Sequence, residues 1–293
     1  MTFVQHTIDA VSLGALYALA ALGIGLIFGI MRLINFAHGE LFMVGGYCLF
    51  LLAGYPQLVM AVATLLVVVI AALGMERFAF RPIRGASPAT LLVMSFALSY
   101  FLQHAAIIIF DARPKGVDFL GFLGHSLEIG GLRVPLLQLA IVAITAVLLT
   151  VFSLIYNRTS IGVQMRAAAE DAVMARLVGV PSNRVIAAAF GFAGFLAGVV
   201  SLFYVAQRGS VVPGMGLNLV IVAFVSTVIG GMGSIAGAAL GGFLVGAVSV
   251  ALQAALPVDL RPYRDAFVFA IFLGFLFFRP EGLMARRADR ERV

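Results

Sequence analysis

Long stretches without charged residues constrain the fold of this chain more than any other feature. They cover residues 10–31, 41–75, 85–110, 134–157, 185–207, 209–258 and 266–278. About 20 apolar residues cross a bilayer as a helix, so most of these runs are long enough for one span or two. Spanning backbone must form helices or a closed barrel, and the runs lack the alternating pattern of barrel strands. With charged residues at only 11% of the sequence, the chain is predicted to be an all-α, polytopic transmembrane helical bundle.

The distribution of arginine predicts how the spans are oriented. Three connecting segments are rich in arginine, at 76–87, 157–184 and 279–293. Basic loops remain in the cytoplasm, and placing all three there gives about nine crossings, or eight if one glycine-rich stretch is re-entrant. The same pattern places a break at 54–56 and the loops at 111–133 and 257–265 outside, where the span at 185–207 also ends. It places residues 34–40 at or near the cytoplasmic side. We therefore expect one transmembrane domain over residues 1–293, with multiple passes through the cell membrane.

Several classes of function lack the residues they require. Lys115 is the only lysine, so the sequence contains no phosphate-binding loop of the form G-x-x-x-x-G-K-[ST]. It contains no G-x-S-x-G nucleophile motif and no Cys/His spacing typical of a metal site. The net charge of +6 is concentrated in short loops between spans, which is the pattern of a membrane protein rather than of a nucleic-acid-binding surface. We expect no catalytic residues, no metal site and no cofactor bound by this chain.

The segment INFAHGE, residues 34–40, places polar groups between two apolar runs. We predict a helix break in which Asn35 caps the next helix, Gly39 supplies a flexible backbone and Glu40 lies near a helix amino terminus. His38 and Glu40 would then hold the break in place through hydrogen bonds. One alternative is a broken helix that forms part of a solute pathway, and another is a proton relay through His38 and Glu40.

Small residues recur at a spacing of four in the stretch 228–246. This spacing lets membrane helices approach closely, so helix packing is the main prediction, in two registers. An alternative is that residues 230–233 form a cytoplasmic turn or an unwound segment lining a cavity. Neighbouring polar side chains are expected to bond across helices or to line a pathway. The residues in these predictions are Gly230, Gly231, Gly233, Gly237 and Gly241, with Gly242 and Gly246 in the second register, and the polar Asn218, Ser226 and Thr227.

Between two predicted spans on the basic side, residues 163–178 favour a short helix with an alanine-dominated surface. Gly179 followed by Val180 and Pro181 is a strong signal for its end. The helix could lie flat at the membrane interface or dock onto another protein. Its modest apolar moment favours docking.

Four segments together resemble the permease subunit of branched-chain amino acid ABC importers, of the LivH type. They are LINFAHGELFMVGGY (33–47), RAAAEDAVMARLVGV (166–180), VIGGMGSIAGAALGG (228–242) and FRPEGLM (278–284), in the same order as in the family. The resemblance implies a second homologous permease subunit, two cytoplasmic ATPase subunits that use ATP and Mg²⁺, and an extracytoplasmic solute-binding protein. It also implies a location in the cell (inner) membrane.

The resemblance further implies a role for the loop at about 157–184. Its helix would be the coupling helix that engages an ATPase, through the residues Arg166, Ala168, Ala169, Glu170 and Asp171, with Gly179 as the signature glycine. The implied function is ATP-driven import of branched-chain amino acids. Alternatives are import of urea, short-chain amides or another amino acid, a proton-coupled secondary transporter using His38 and Glu40, or a passive channel.

Overall fold

A computed structural model describes residues 2–129 and 132–284. Its α-helices are α1 (Thr2–Met31), α2 (His38–Leu51), α3 (Gln57–Gly74), α4 (Pro88–Phe110), α5 (Leu136–Arg158), α6 (Ser160–Glu170), α7 (Ala172–Leu177), α8 (Ser182–Arg208), α9 (Met215–Gly230), α10 (Ile235–Ala255) and α11 (Arg264–Phe278). A π-helical turn, Met75–Phe80, continues α3, and 3₁₀ turns cover Arg81–Ile83, Gly121–Gly124 and Val258–Tyr263. The predicted all-α fold class is confirmed. The predicted basic tail at 279–293 extends outside the described residues from position 285 onward.

Within residues 2–129 and 132–284, four short strands lie in loops that the charge pattern predicts to be external. They are β1 (Lys115–Gly116), β2 (Ser126–Ile129), β3 (Leu132–Pro135) and β4 (Ser210–Val211). β2 and β3 form an antiparallel hairpin, and β1 pairs antiparallel with β4. The second pairing ties the loop after α4 to the loop after α8, so both loops lie on the same side, as predicted.

Among the described residues, six helices are long and apolar enough to cross a membrane: Val4–Met31, Gln57–Ile83, Pro88–Phe110, Leu136–Arg158, Ser182–Arg208 and Ile235–Ala255. The helices α2, α9 and α11 are shorter, with 14, 16 and 15 residues. At 1.5 Å per residue they extend about 21–24 Å, less than the roughly 30 Å of a bilayer's hydrocarbon core. The count of eight to nine spans is therefore approximate.

The predicted break at residues 54–56 is confirmed. α2 ends at Leu51 and α3 begins at Gln57, with Pro56 in the capping position. Gly54 has a φ of +99°, a conformation that glycine adopts without steric cost. The local chemistry of glycine and proline therefore ends one helix and begins the next.

The chain divides into two compact units. The first contains the described residues within 1–25, 120–148 and 222–284, and the second contains residues 26–119 and 149–221. In the second unit, α2, α3 and α8 pack closely because small residues face one another: Gly45 lies against Ser201 and Val68, and Gly194 lies against Ala72. The apolar helices also carry exposed large apolar side chains, as expected for lipid-facing surfaces; examples are Ile70, Ile108, Val147, Leu273 and Phe277.

Candidate functional site

The chain breaks its helical path between α1 and α2, as the segment at 34–40 predicted. α1 ends at Met31, and Arg32 has a left-handed φ of +51°. The predicted capping role of the Asn35 side chain is wrong, since α2 is capped at Ala37 without a side-chain hydrogen bond. Asn35 contributes its backbone instead: its carbonyl oxygen accepts a hydrogen bond from the His38 N–H at 3.2 Å.

Gly39 allows close packing rather than backbone flexibility. A methyl group at this position would lie 2.6 Å from the carbonyl oxygen of Gly216, near the start of α9. A methyl group at Gly216 would likewise overlap the carbonyl oxygen of Gly39. The amino-terminal turns of two short helices, α2 and α9, therefore touch through their glycines.

Contacts with α4 show how deep the segment at 34–40 lies. The Ser95 hydroxyl donates a hydrogen bond to the Ile34 carbonyl oxygen at 3.3 Å, and the ring of Phe36 stacks on Phe96. The Ser99 hydroxyl donates to Glu40 Oε1 at 2.8 Å. Ser99 is the central residue of the 23-residue α4, about 16 Å from either end. The predicted position at or near the cytoplasmic side is therefore wrong for Glu40, which lies at the mid-depth of a membrane helix.

The polar side chains of this segment are enclosed by protein. Asn35, His38 and Glu40 are 3%, 0% and 1% exposed. Among the described residues, hydrogen-bond partners are absent for both polar side-chain atoms of Asn35, both ring nitrogens of His38 and Oε2 of Glu40. The predicted hydrogen bonds that hold the break are therefore absent for His38, whose ring instead meets Phe42 edge-on at 5.4 Å between centroids. In this conformation the three side chains are closed to a solute.

The glycine-rich stretch forms both a turn and a packing surface. α9 ends at Gly230. The next glycines, Gly231 and Gly233, have φ values of +106° and +85°. α10 begins after Ser234, whose hydroxyl accepts a hydrogen bond from the Gly237 N–H at 3.0 Å. The turn proposed for residues 230–233 is confirmed. Gly233 lies in this turn with open space beside it, so its assignment to the packing stripe is wrong.

The packing prediction is confirmed in two registers of α10. A methyl group at Gly237 or Gly241 would overlap the backbone of α9, at the carbonyl oxygens of Gly230 and Ser226 respectively. On another side of α10, Gly242 and Gly246 meet the backbone of α1 at Ala18 and Gly14. α10 therefore needs glycine on two faces because it touches two helices at backbone distance.

The polar residues of α9 do not form the expected group. The Ser226 hydroxyl donates to Val222 in its own helix at 2.8 Å. The Thr227 hydroxyl contacts the carbonyl oxygens of Ala223 at 2.8 Å and of Ala21 in α1 at 3.1 Å, so Thr227 alone of the three links two helices. Asn218 is exposed, which places a polar amide on the surface of an apolar helix.

The helix predicted over residues 163–178 is two helices. It begins earlier, at Ser160, and is divided at Asp171, which has an extended backbone with φ −146° and ψ 102°. Asp171 Oδ1 accepts from the N–H groups of Val173 and Met174 at 2.8 and 3.0 Å. An aspartate that caps the following helix favours this break. The predicted end is confirmed, because Gly179 adopts a left-handed φ of +88°.

α6 is fixed to the end of α5. The Arg166 guanidinium donates to the Tyr156 carbonyl oxygen and lies over the Tyr156 ring, 5.4 Å from its centroid. Gly162, Met165 and Ala168, three residues apart, form the buried face of α6. Ala168 therefore faces its own chain and not an ATPase, contrary to expectation. Ala169 is partly exposed, and Glu170 and Asp171 are exposed.

An apolar surface on α7 was not predicted from the sequence. The surface consists of four apolar residues at helical spacing that are between 57% and 79% exposed: Val173, Met174 and Leu177 in α7, and Val178, which caps its end. We call these four residues the α7 patch. The sequence indicates this surface by a pair of apolar residues that is repeated after four positions. The alanines at residues 167–169 instead indicated an alanine-dominated docking surface. Exposed apolar clusters mark contacts with proteins or membranes.

Comparison with known proteins shows the family to which this chain belongs. Residues 7–276 match the family described as Branched-chain amino acid transport system / permease component. The chain is 34% identical over 298 residues to the high-affinity branched-chain amino acid transport system permease protein BraD of Pseudomonas aeruginosa, covering 97% of this chain and 96% of BraD. It is 31% identical to LivH of Escherichia coli with the same coverage, and 25% identical to a probable LivH of Methanocaldococcus jannaschii, covering 92% of this chain and 88% of that protein.

The helices, their lipid-facing surfaces and the family match define a multi-pass membrane protein of the transport permease class. Within that class, the chain belongs to the family of branched-chain amino acid transport system permease components. As a member of this family it is a transport subunit of the cell inner membrane.

Proposed function

We propose that this chain forms part of the membrane pathway of an ATP-driven importer for branched-chain amino acids. Relatives that match it along 97% of its length are named as permeases of high-affinity branched-chain amino acid transport, and this full-length match carries the proposal. The partners are a second homologous permease, two cytoplasmic ATPase subunits that bind ATP and Mg²⁺, and an extracytoplasmic solute-binding protein. ATP hydrolysis takes place in the ATPase subunits and not in this chain.

The α7 patch is the proposed contact with an ATPase subunit. An exposed apolar helix face fits into a groove on a partner protein, and the charge pattern puts α7 on the cytoplasmic side. Glu170 and Asp171 are exposed beside it. The contact predicted from the sequence consisted of Arg166, Ala168, Ala169, Glu170 and Asp171, with Gly179. In this proposal the α7 patch takes the place of Ala168, which is buried.

Movement of α7 can reach the membrane helices through α6. Arg166 connects α6 to the carboxyl end of α5 through Tyr156, and α6 also packs on α8. Both α5 and α8 are long and apolar enough to span the membrane. When the pair of ATPase subunits closes, it can bind one arrangement of α5 and α8 more tightly than another. This difference in affinity shifts the population between the two arrangements, as alternating access requires.

The proposed solute pathway passes the contact between α2 and α9. The amino-terminal turns of both helices meet there at Gly39 and Gly216, beside Glu40 at the mid-depth of α4. Broken helices in transporters direct their positive amino ends toward the carboxylate of a substrate. The exposed amide of Asn218, in the first turn of α9, is the polar group of this helix that a solute can reach without rearrangement.

Two measurements test this proposal. The first is calorimetry of the partner solute-binding protein with leucine, isoleucine, valine, urea and acetamide, with binding of the branched-chain amino acids expected. Tight binding of urea or acetamide alone would overturn the solute assignment and leave the importer assignment intact.

The second measurement is co-purification of the tagged chain with the four other subunits after co-expression. A stable complex of two permeases and two ATPases is expected. Purification of the chain alone, with transport activity retained, would overturn the ATP-driven assignment.

A further inference from the structure

A cavity of about 820 Å³ lies in the second unit, on the side predicted to be cytoplasmic, between the α7–α8 connection and the ends of two membrane helices. Its lining comes from α1, α4, α7, α8, the loop before α4 and the α7–α8 connection. The lining residues are Ile30, Met31, Arg84, Leu91, Arg176, Val180, Pro181, Ser182, Asn183, Arg184 and Ile186. The volume lies within the range of ligand sites in proteins, about 300–1,000 Å³.

The polar part of the cavity is positively charged. Among the residues that the structure describes, Arg84, Arg176 and Arg184 contribute to the lining, and no aspartate or glutamate does. Arg84 forms an ion pair with the buried Glu76 and donates to Asn183 Oδ1 at 2.7 Å. It therefore fixes the start of α8 in place, while Arg184 and Arg176, which makes a further contact of its own, add positive charge to the lining.

The amino terminus of α8 adds to this positive field. α8 has 27 residues, and its cap, Pro181, provides no side-chain hydrogen bond to the first turn. Ser182 and Asn183, the first residues of the helix, line the cavity. Helix amino termini attract phosphate groups because of their backbone N–H groups and the helix dipole.

The remaining lining is apolar and belongs to membrane helices. Ile30 and Met31 end α1, Leu91 lies in the first turn of α4, and Ile186 lies in the second turn of α8. A free phosphate ion or an acidic peptide would make no use of this apolar surface. An amphiphile would use both parts, with its anionic group on the arginines and its chains against the isoleucine, methionine and leucine side chains.

We propose that this cavity binds the phosphate group of an anionic phospholipid from the cytoplasmic leaflet. Basic pockets between membrane helices on the cytoplasmic side are typical sites for such headgroups. The bound lipid would join the α7–α8 connection to the ends of α1 and α4. The site is separate from the proposed solute pathway, and its existence does not depend on which solute the importer carries.

The test uses the purified full-length chain and native mass spectrometry, with short-chain phosphatidylglycerol as the probe and phosphatidylcholine as the neutral reference. Phosphatidylglycerol is expected to bind at least tenfold more tightly. The double variant R176Q/R184Q should weaken its binding about thirtyfold, since each basic residue contributes about a factor of five near an anionic lipid. The conservative R176K/R184K variant should retain most of the binding.

The matched control is R77Q/R158Q, which removes the same charge from exposed arginines on the same predicted side, outside the cavity lining. Its lipid binding should equal that of the unmodified chain. Equal weakening in both double variants would show non-specific attraction and overturn the proposal. So would equal affinity for glycerol 3-phosphate and phosphatidylglycerol, which would indicate a soluble phosphate ligand.

A third outcome concerns protein contact. If R176Q/R184Q leaves lipid binding unchanged but abolishes co-purification of the ATPase subunits, the arginines bind protein and the lipid assignment is wrong. Unchanged elution of the variant in size-exclusion chromatography confirms that it is folded.

Discussion

Leu177 is the best place to test the proposed contact between the α7 patch and an ATPase. Its side chain is 76% exposed in the isolated chain. Complete burial of a leucine contributes about 1.5–3 kcal/mol, so covering the exposed three-quarters contributes about 1–2 kcal/mol. The substitution Leu177→Ala should therefore weaken binding of the ATPase subunits about five- to thirtyfold, without loss of the folded permease.

A matched pair of aspartate variants separates docking from general damage. Val178→Asp places a charge in the patch, and Val258→Asp makes the same change in the loop predicted to be external. The two valines have similar exposure, 79% and 71%. Burying an unpaired carboxylate in an interface is strongly unfavourable, so only Val178→Asp should abolish co-purification of the ATPase subunits.

The assay is quantitative co-purification from solubilised membranes, followed by solute-stimulated ATP hydrolysis of the recovered complex. Equal recovery of the ATPase subunits with Leu177→Ala, Val178→Asp and Val258→Asp would refute the assignment of the α7 patch. A loss with both aspartate variants would show that the effect does not depend on the side of the membrane.

Three further predictions follow from single residues. Gly241→Ala should lower the thermal midpoint of unfolding relative to Gly274→Ala, because only the methyl group at position 241 would overlap backbone atoms. Both substitutions gain the same helix propensity, so the difference between their unfolding free energies is about 1–3 kcal/mol. A thermal size-exclusion assay measures it, since the chain has no tryptophan. Asp171→Ala should cost about 1 kcal/mol of local stability and speed amide exchange in α7 but not in α8. His38→Gln should retain most ATP-dependent uptake with an unchanged pH profile, whereas loss of uptake with intact assembly would indicate proton coupling.

Features governed by short-range chemistry were predictable from the sequence. Gly54 and Pro56 separate two helices, Gly179 ends α7 in a left-handed conformation, and the spacing of Gly237 and Gly241 gives a close helix contact. In each case the residue type itself restricts or permits the backbone. The charge pattern also predicted that the loops containing β1 and β4 share one side of the membrane.

Features that depend on tertiary contacts were not predictable. The depth of Glu40 follows from its hydrogen bond to Ser99, 59 residues away, whereas charge counting assigns such a residue to an interface. The residues around Asp171 favour one continuous helix, yet the Asp171 carboxylate caps α7 and divides the helix in two. Burial of Ala168 depends on which face of α6 meets the rest of the unit, and alanine does not specify that face.

The most direct test of the central claim is uptake of radiolabelled leucine by proteoliposomes containing this chain, its partner permease and both ATPase subunits. With the solute-binding protein outside and ATP with Mg²⁺ inside, uptake should exceed the ATP-free level and persist without a pH gradient. Uptake that requires a pH gradient, or that equilibrates leucine without ATP, would contradict the assignment as an ATP-driven importer.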